Sequence, residues 1–288
     1  MSAVTNREIR SRAADTVRFN LGRIILLTVT ALAVPALIYL LGAADNIMVT
    51  FSGMADKISR YGAQYYSDDA YLNAFSTAFV STGVFSLLAI LAAMVLDVGY
   101  RRGLQRLACH EQVKASAMLP HWKHIPGCIG LTLWMMLKLL AWGLPGLLVN
   151  FLGFLLLSDG IAAGEAVEII GDILLLALYL PAVYRYMLAP HVFAEDPTVG
   201  VYDAVLRSKT MMAHRKWQLF CLTLPYELGI VGVWVALIAL MAIFSTTGFM
   251  GAFAVWLVLV LFMAVVAATF YLTMLTQMAI THYYLAHK

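Results

Sequence analysis

Along the chain, long apolar runs are separated by short polar stretches, and within the runs apolar and polar residues do not alternate. Six runs stand out, at about Leu21–Ala43, Leu72–Val98, Ile125–Leu157, Ile169–His191, Trp217–Phe244 and Gly251–Tyr283. A membrane-crossing helix needs roughly 20 mostly apolar residues, whereas a membrane barrel is built from shorter, alternating segments. The pattern therefore predicts an all-α, polytopic membrane protein with six transmembrane helices. A cleaved signal is the alternative for the first run, which ends in Gly42, Ala43 and Ala44. That run is longer than the usual apolar core of a signal.

The polar segments keep a helical rhythm of their own. Ile9, Ala13 and Val17 recur every four residues in the charged opening Asn6–Asn20, which predicts an amphipathic helix on the membrane surface. Met48, Phe51, Met54, Ile58, Tyr61 and Tyr65 form a second stripe through Asp45–Ala70, lying on the far surface or capping the bundle. A third helix is predicted from Asp196-Pro197 to about Lys216, with Val201, Tyr202, Val205, Leu206 and Met212 on one face. Asp203 and Arg207 would pair on the other. The remaining connectors are a basic loop, Tyr100–His124, an acidic one, Ser158–Glu168, and a tight one, Ser245–Phe249.

This reads as a single membrane domain over residues 1–288. It comprises an amphipathic helix (1–20), a first hairpin (21–98), a basic loop with a second hairpin (100–192) and a basic surface helix with a third hairpin (196–288). Leu27-Thr28, Leu131-Thr132 and Leu222-Thr223 each follow a basic segment near the start of an odd-numbered span, which suggests three repeated units.

Composition excludes a soluble fold. The chain is 62% hydrophobic and 12% charged, with a mean hydropathy of +0.84, against about 25% charged residues in soluble domains. The net charge of +3 is not spread evenly. Arg101, Arg102, Arg106, Lys114 and Lys123 share one loop, and Arg207, Lys209, Arg215 and Lys216 the next. The intervening connectors carry Asp45, Asp56, Asp68, Asp69, Asp159, Glu165 and Glu168 against only Lys57 and Arg60. Basic loops stay cytoplasmic, so both termini and the basic surface helices are expected on the cytoplasmic face of the cell membrane. The expected partners are the bilayer with its anionic headgroups, and a protein partner or a second copy, but no nucleic acid. Cys109, Cys128 and Cys221 fall near that same face, where thiols stay reduced.

Candidate chemistry is sparse. The chain has no His-Glu-x-x-His metal motif, nucleophile elbow or phosphate-binding glycine loop. Cys109, His110, His121, His124 and Cys128 are suitable zinc ligands, but their spacing matches no familiar cage, so neither metal nor cofactor is expected. Pro145, Pro181 and Pro225 lie inside spans, as kinks or as parts of a binding site.

Charges inside spans are costly and are functional candidates by default. Asp97 and Arg185 sit at the membrane edge and can snorkel. Lys138, Glu227 and Asn150 form the candidate intramembrane polar site. Measured from the matched Leu-Thr pairs, Lys138 and Glu227 differ in depth by about 3 Å at helical rise, so they are expected to face one another.

Asp196-Pro197, Ala204, Ser208, Met212, His214-Arg215-Lys216-Trp217 and Leu219-Phe220 resemble the bacterial integral-membrane family termed domain of unknown function 975. Pro181 in LYLPAVYRYMLAP is similar to that family's Ile-Pro-Gly kink. NREIRSRA and His282-Tyr283-Tyr284 are similar to its opening helix and its end. Ala182 and Ala213 stand where glycine is usual there, and Pro225-Tyr226 where Ser-Phe is. The resemblance implies a multi-span protein of the bacterial cytoplasmic membrane and no particular substrate. The expected function is non-catalytic: a binding, scaffold or accessory component of a membrane assembly. A small transporter or channel for a lipid-like, peptide or ionic substrate is the alternative, and a membrane-embedded enzyme the third.

Overall fold

A computed structural model of the protein describes residues 4–61, 68–118, 122–246 and 252–288, with side chains described outside 43–82, 115, 117, 122 and 243–256. Its helices are α1 (Asn6–Tyr61), α2 (Asp68–Ala108), α3 (Ile125–Ser158), α4 (Ala163–Tyr186), α5 (Ala189–Glu195), α6 (Val201–Met211), α7 (Lys216–Thr246) and α8 (Ala252–His287). Short 3-10 turns occupy Ala115–Met118, Trp122–His124 and Pro197–Val199, and no strand occurs among the described residues. Six stretches are long and apolar enough to cross a membrane: Asn6–Gly42, Gly83–Ala108, Ile125–Ser158, Ala163–Glu195, Lys216–Ala242 and Leu257–His287. The protein is an all-α, multi-pass membrane protein.

Several boundaries differ from the sequence expectation. The opening amphipathic helix and the first span are one element, α1, broken only at Asn20 (φ −120°, ψ 22°). Its stripe does not face lipid, because Ile9, Ala13 and Val17 are buried in the protein core. The backbone stays helical through the segment after the first span as far as Tyr61. The stripe expected there, Met48 to Tyr65, lies outside the described side chains, and much of the Ser245–Phe249 connector lies outside the described residues. The acidic connector is shorter than expected, since Glu165 and Glu168 already belong to α4.

The fourth span is made of two helices, α4 ending at Tyr186 and the short α5 carrying the stretch on to Glu195. Pro190, in the first turn of α5, lacks the N–H that a continuing helix would need. The helix expected from Asp196 to Lys216 begins only at Val201 and stops at Met211, where a turn through His214 (φ 63°) re-aims the chain into α7. Of the face expected there, Val205 and Met212 are buried with Ala204 and Ser208, while Tyr202 and Leu206 are exposed. No ion pair joins Asp203 to Arg207 among the described residues. Pro35, Pro145, Pro181 and Pro225 all sit within continuing helices, as intramembrane helices tolerate.

Consecutive long helices pair into three hairpins, α1–α2, α3–α4 and α7–α8. The second is held by close backbone approach. A Cβ on Gly146 would lie 2.6 Å from the Leu175 Cα, so only glycine allows α3 and α4 to pack here, as small residues do in membrane interfaces. The hairpins meet one another mainly at the end that carries the basic segments. On α8 every buried residue among those described falls between Met274 and Tyr284. On α1 the buried positions among the described side chains run from Ile9 to Thr28, with Gly42 farther along. α5 and α6 lie in that same core, which includes Phe193, Ala204 and Met212. Farther out, the most apolar stretch of α7 is only 6% buried.

The three Leu-Thr pairs occupy matching places in this core. Leu27, Leu131 and Leu222 are each fully buried. Thr28 donates to the Ile24 carbonyl at 2.8 Å, Thr132 to Cys128 at 3.2 Å and Thr223 to Phe220 at 3.3 Å. Each hydroxyl is thus absorbed by its own helix. Two of the three also share a hydrogen bond with a tyrosine: Thr28 with Tyr100 at 3.2 Å, and Thr223 with Tyr184 at 3.0 Å.

Candidate functional site

The intramembrane polar residues singled out from sequence are not brought together. Lys138 on α3 places its ammonium 4.7 Å from the centre of the Trp134 ring, one helical turn away, a cation–π contact within its own helix. Glu227 on α7 is exposed and has no hydrogen bond or ion pair among the described residues. The expected Lys138–Glu227 pair is therefore absent. The depth argument fixed two heights and left the helix faces undetermined. Asn150 looks elsewhere, donating to the Asp172 carboxylate of α4 at 2.9 Å. The two residues line a shallow cleft of about 320 Å³ with Phe151, Phe154 and Glu168, near the acidic connector. Asp172 was legible as a carboxylate inside the fourth span and was passed over.

The densest polar cluster is the one sequence reasoning missed, in the core at the basic end. Arg101 on α2 pairs with Asp97 at 3.2 Å, donates to the Gln277 side chain of α8, and reaches the His191 Nε2 at 3.4 Å. Arginine can only donate, so the His191 Nε2 accepts and the ring proton sits on Nδ1, which is buried without a partner. Gln105 donates to the His191 carbonyl at 2.8 Å, and the His191 ring stacks on Tyr284 at 5.6 Å. Tyr284 in turn donates to Glu195 at 2.5 Å, which also accepts from Lys288 at 2.7 Å. This network ties α2, α5 and α8 together. The membrane-edge pair expected from sequence thus has definite partners: Asp97 has Arg101, and Arg185 lies 5.9 Å from the Trp142 ring.

Two large clefts of more than 500 Å³ open at the basic end among the described residues. The first, about 560 Å³, is lined by Arg12, Asp15, Thr16, His110 and His282 among others. It brings a hydroxyl, imidazoles and a carboxylate to one open place, the arrangement expected of an enzyme. The Thr16 hydroxyl lies 2.8 Å from the Arg12 carbonyl and 2.9 Å from the His282 Nε2, and the imidazole tautomer decides which of the two takes its proton.

The second cleft, about 590 Å³, lies where α4 ends and α7 begins, and α6 borders it. Arg185, Lys209, His214, Lys216 and Trp217 line it, and no carboxylate does. The residues that resemble the family motif build this corner. Asp196 caps the turn into α6, accepting from the Thr198 N–H at 3.0 Å and hydroxyl at 2.6 Å, and these bonds hold its carboxyl below the usual range. Ser208 is buried and donates to the Arg185 carbonyl at 3.0 Å, fixing α6 against the end of α4. Met212 fills the core beneath, and His214 turns the chain. Pro181 is exposed on α4, one turn before Arg185, and Pro197 opens the 3-10 turn.

Among the described residues no group of three or more His, Cys, Asp and Glu could hold a metal ion. Cys109 is exposed, Cys128 is fully buried, and His121 lies outside the described residues. Comparison with family models, with curated proteins and with solved structures finds no match for the chain.

Proposed function

We propose that the protein is a non-catalytic, accessory or scaffold component of a bacterial cytoplasmic membrane, with its basic end and both termini in the cytoplasm. The observation that carries this reading is the placement of its core. Three hairpins share packing at the basic end, while the flanks farther out, with Leu37, Leu176, Val231 and Ile238, are large and apolar. Lipid gives such flanks no hydrophobic reason to close on one another, so they are open to helices of another membrane protein. A transporter would instead bring Lys138, Glu227 and Asn150 around one polar passage, and no ion pair or hydrogen bond joins any two of them among the described residues. Membership of the domain-of-unknown-function-975 family fits the corner built by Asp196, Ser208, Met212 and His214.

The test is photo-crosslinking in intact membranes from a reactive amino acid at Leu37, Leu176 or Ile238, compared with Tyr202 at the basic end. A protein adduct of defined mass from one hairpin flank, and not from the others, supports the accessory role. Lipid adducts alone from every position, together with solute flux in proteoliposomes, would favour the transporter. The orientation is checked separately. Cysteine placed at Glu165 should be labelled from outside intact cells, and cysteine at Lys209 should not.

A further inference from the structure

We infer that the cleft between α4, α6 and α7 is a binding site for the phosphate headgroup of an anionic phospholipid. The inference rests on the protein being a multi-pass membrane protein and not on the accessory role proposed above.

The first argument is charge. Arg185, Lys209 and Lys216 converge on one cavity of about 590 Å³ with His214 beside them. Elsewhere on the basic end, Arg101, Arg106 and Lys288 are matched by Asp97, Glu111 and Glu195, while cations unmatched among the described residues, such as Arg7 and Lys114, stand outside this cleft. None of the three cations of the cleft has a carboxylate partner among the described residues. The first turn of α7 starts on the cleft wall at Lys216, and the start of a long helix adds partial positive charge. A cavity with several free cations and no acid suits a phosphate, which accepts from arginine and lysine together.

The second argument is position. The cleft lies at the ends of two spans, the end of α4 and the start of α7, which is the level at which headgroups sit. Trp217 is 73% exposed and stacks on Phe220 at 5.0 Å, so its indole presents an apolar face and an N–H at that level, as interfacial tryptophans do. Tyr202 and Leu206 on the neighbouring α6 are exposed as well. Inorganic phosphate would use only the charges. A lipid would use the charges and this apolar rim, and that difference selects the lipid.

The third argument is rigidity. Ser208 ties α6 to the last turn of α4, and the Arg185 side chain is held near the Trp142 ring. The headgroup would therefore meet an arrangement already in place.

The experiment is native mass spectrometry of the full chain in detergent, titrated with phosphatidylglycerol, phosphatidylcholine or inorganic phosphate. Removing two cations by Lys209→Gln with Lys216→Gln should weaken phosphatidylglycerol binding about 25-fold, at roughly a fivefold loss for each charge. Arg7→Gln with Lys114→Gln removes equal charge from exposed positions outside the cleft and should change binding by less than about twofold. Trp217→Ala keeps every charge and should weaken the lipid while leaving any phosphate binding unchanged. Equal losses in the two double variants would overturn the site in favour of diffuse attraction. Displacement of the lipid by equimolar phosphate would reassign the cleft to a free anion. Equal retention of phosphatidylcholine would overturn the claim of anionic selectivity. If the double variant loses its fold, Lys209→Arg, which keeps the charge, must retain binding while Lys209→Gln alone weakens it, or the inference fails.

Discussion

The hydroxyls of Tyr184 and Thr223 lie 3.0 Å apart in a buried contact between the second hairpin and the third. Either hydroxyl can donate in this contact, but Thr223 also lies 3.3 Å from the Phe220 carbonyl and keeps that partner when the tyrosine hydroxyl is removed. Hydrogen bonds of this kind between membrane helices average about 0.6 kcal/mol and reach about 1.7. Stranding a buried hydroxyl costs about 1–3 kcal/mol. Thr223→Val should therefore destabilise more than Tyr184→Phe, and the double variant less than the sum of the two. Thermal unfolding in detergent measures all three. Thr132, which has no tyrosine partner, is the control: Thr132→Val should be close to neutral.

Lys138 and Glu227 do not touch, so their substitutions should not couple. Lys138→Met removes a cation–π contact with Trp134 worth about 0.5–1 kcal/mol or more and shows as a small loss of stability. Glu227→Gln should be neutral or mildly stabilising, because a carboxylate exposed within a span is costly. Additive effects in a double-mutant cycle are expected. A coupling above about 0.5 kcal/mol would mean that the two groups meet after all.

Close backbone approach makes sharp predictions at two glycines. Gly146→Ala would force a methyl to within 2.6 Å of the Leu175 backbone, and Gly99→Ala would drive one to 1.7 Å from the Met118 carbonyl oxygen. Both should lower the unfolding midpoint and the yield of folded protein. Gly232→Ala meets nothing within 4 Å and gains helix propensity, so it should be neutral or raise stability by up to about 1 kcal/mol. Loss of stability in the Gly232 variant alone would refute the packing described for the hairpins.

His110 occupies a position that glycine fills elsewhere in this chain. At the end of α2 the Glu111 N–H reaches the Arg106 carbonyl and the His110 N–H reaches Leu107, with His110 at φ 62°. At the end of α3, Ile161 and Gly160 make the same pair of bonds to Leu156 and Leu157, with Gly160 at φ 78°. The left-handed conformation costs a non-glycine residue about 1–2 kcal/mol. His110→Gly should raise stability by about 1 kcal/mol, and His110→Val should lower it. Circular dichroism melts of the two variants check the sign.

Hydropathy made the spans legible because length and apolarity are properties of consecutive residues. Charge asymmetry made the two ends distinguishable for the same reason. The core was legible only in part. The Leu-Thr pairs marked buried positions at the start of each odd-numbered span, and the stripe of Ile9, Ala13 and Val17 marked a packed face. That this face meets protein instead of lipid depends on residues more than two hundred positions away. His191 read as the last residue of a span and proved to be a centre of the basic-end network, because the helix breaks after Tyr186 and the short α5 carries His191 into the core. The basic cleft was half visible. Its charges were read as topology, and their convergence on one cavity depends on how α6 folds back on α4.

The bonds that seat the opening helix have a consequence for the order of assembly. Asn6 and Arg10 donate to the carbonyls of Gln218 and Cys221, and Thr16 meets His282, across separations of 212, 211 and 266 residues. During synthesis the opening helix is made well before α7 and α8, which hold these partners. Such distant closures come late. Until α7 and α8 are made the helix lacks these three partners, and the bilayer surface is where an amphipathic helix of this kind can wait. The resting place suggested by the bare sequence is then a stage in the molecule's biogenesis, abandoned when α8 arrives.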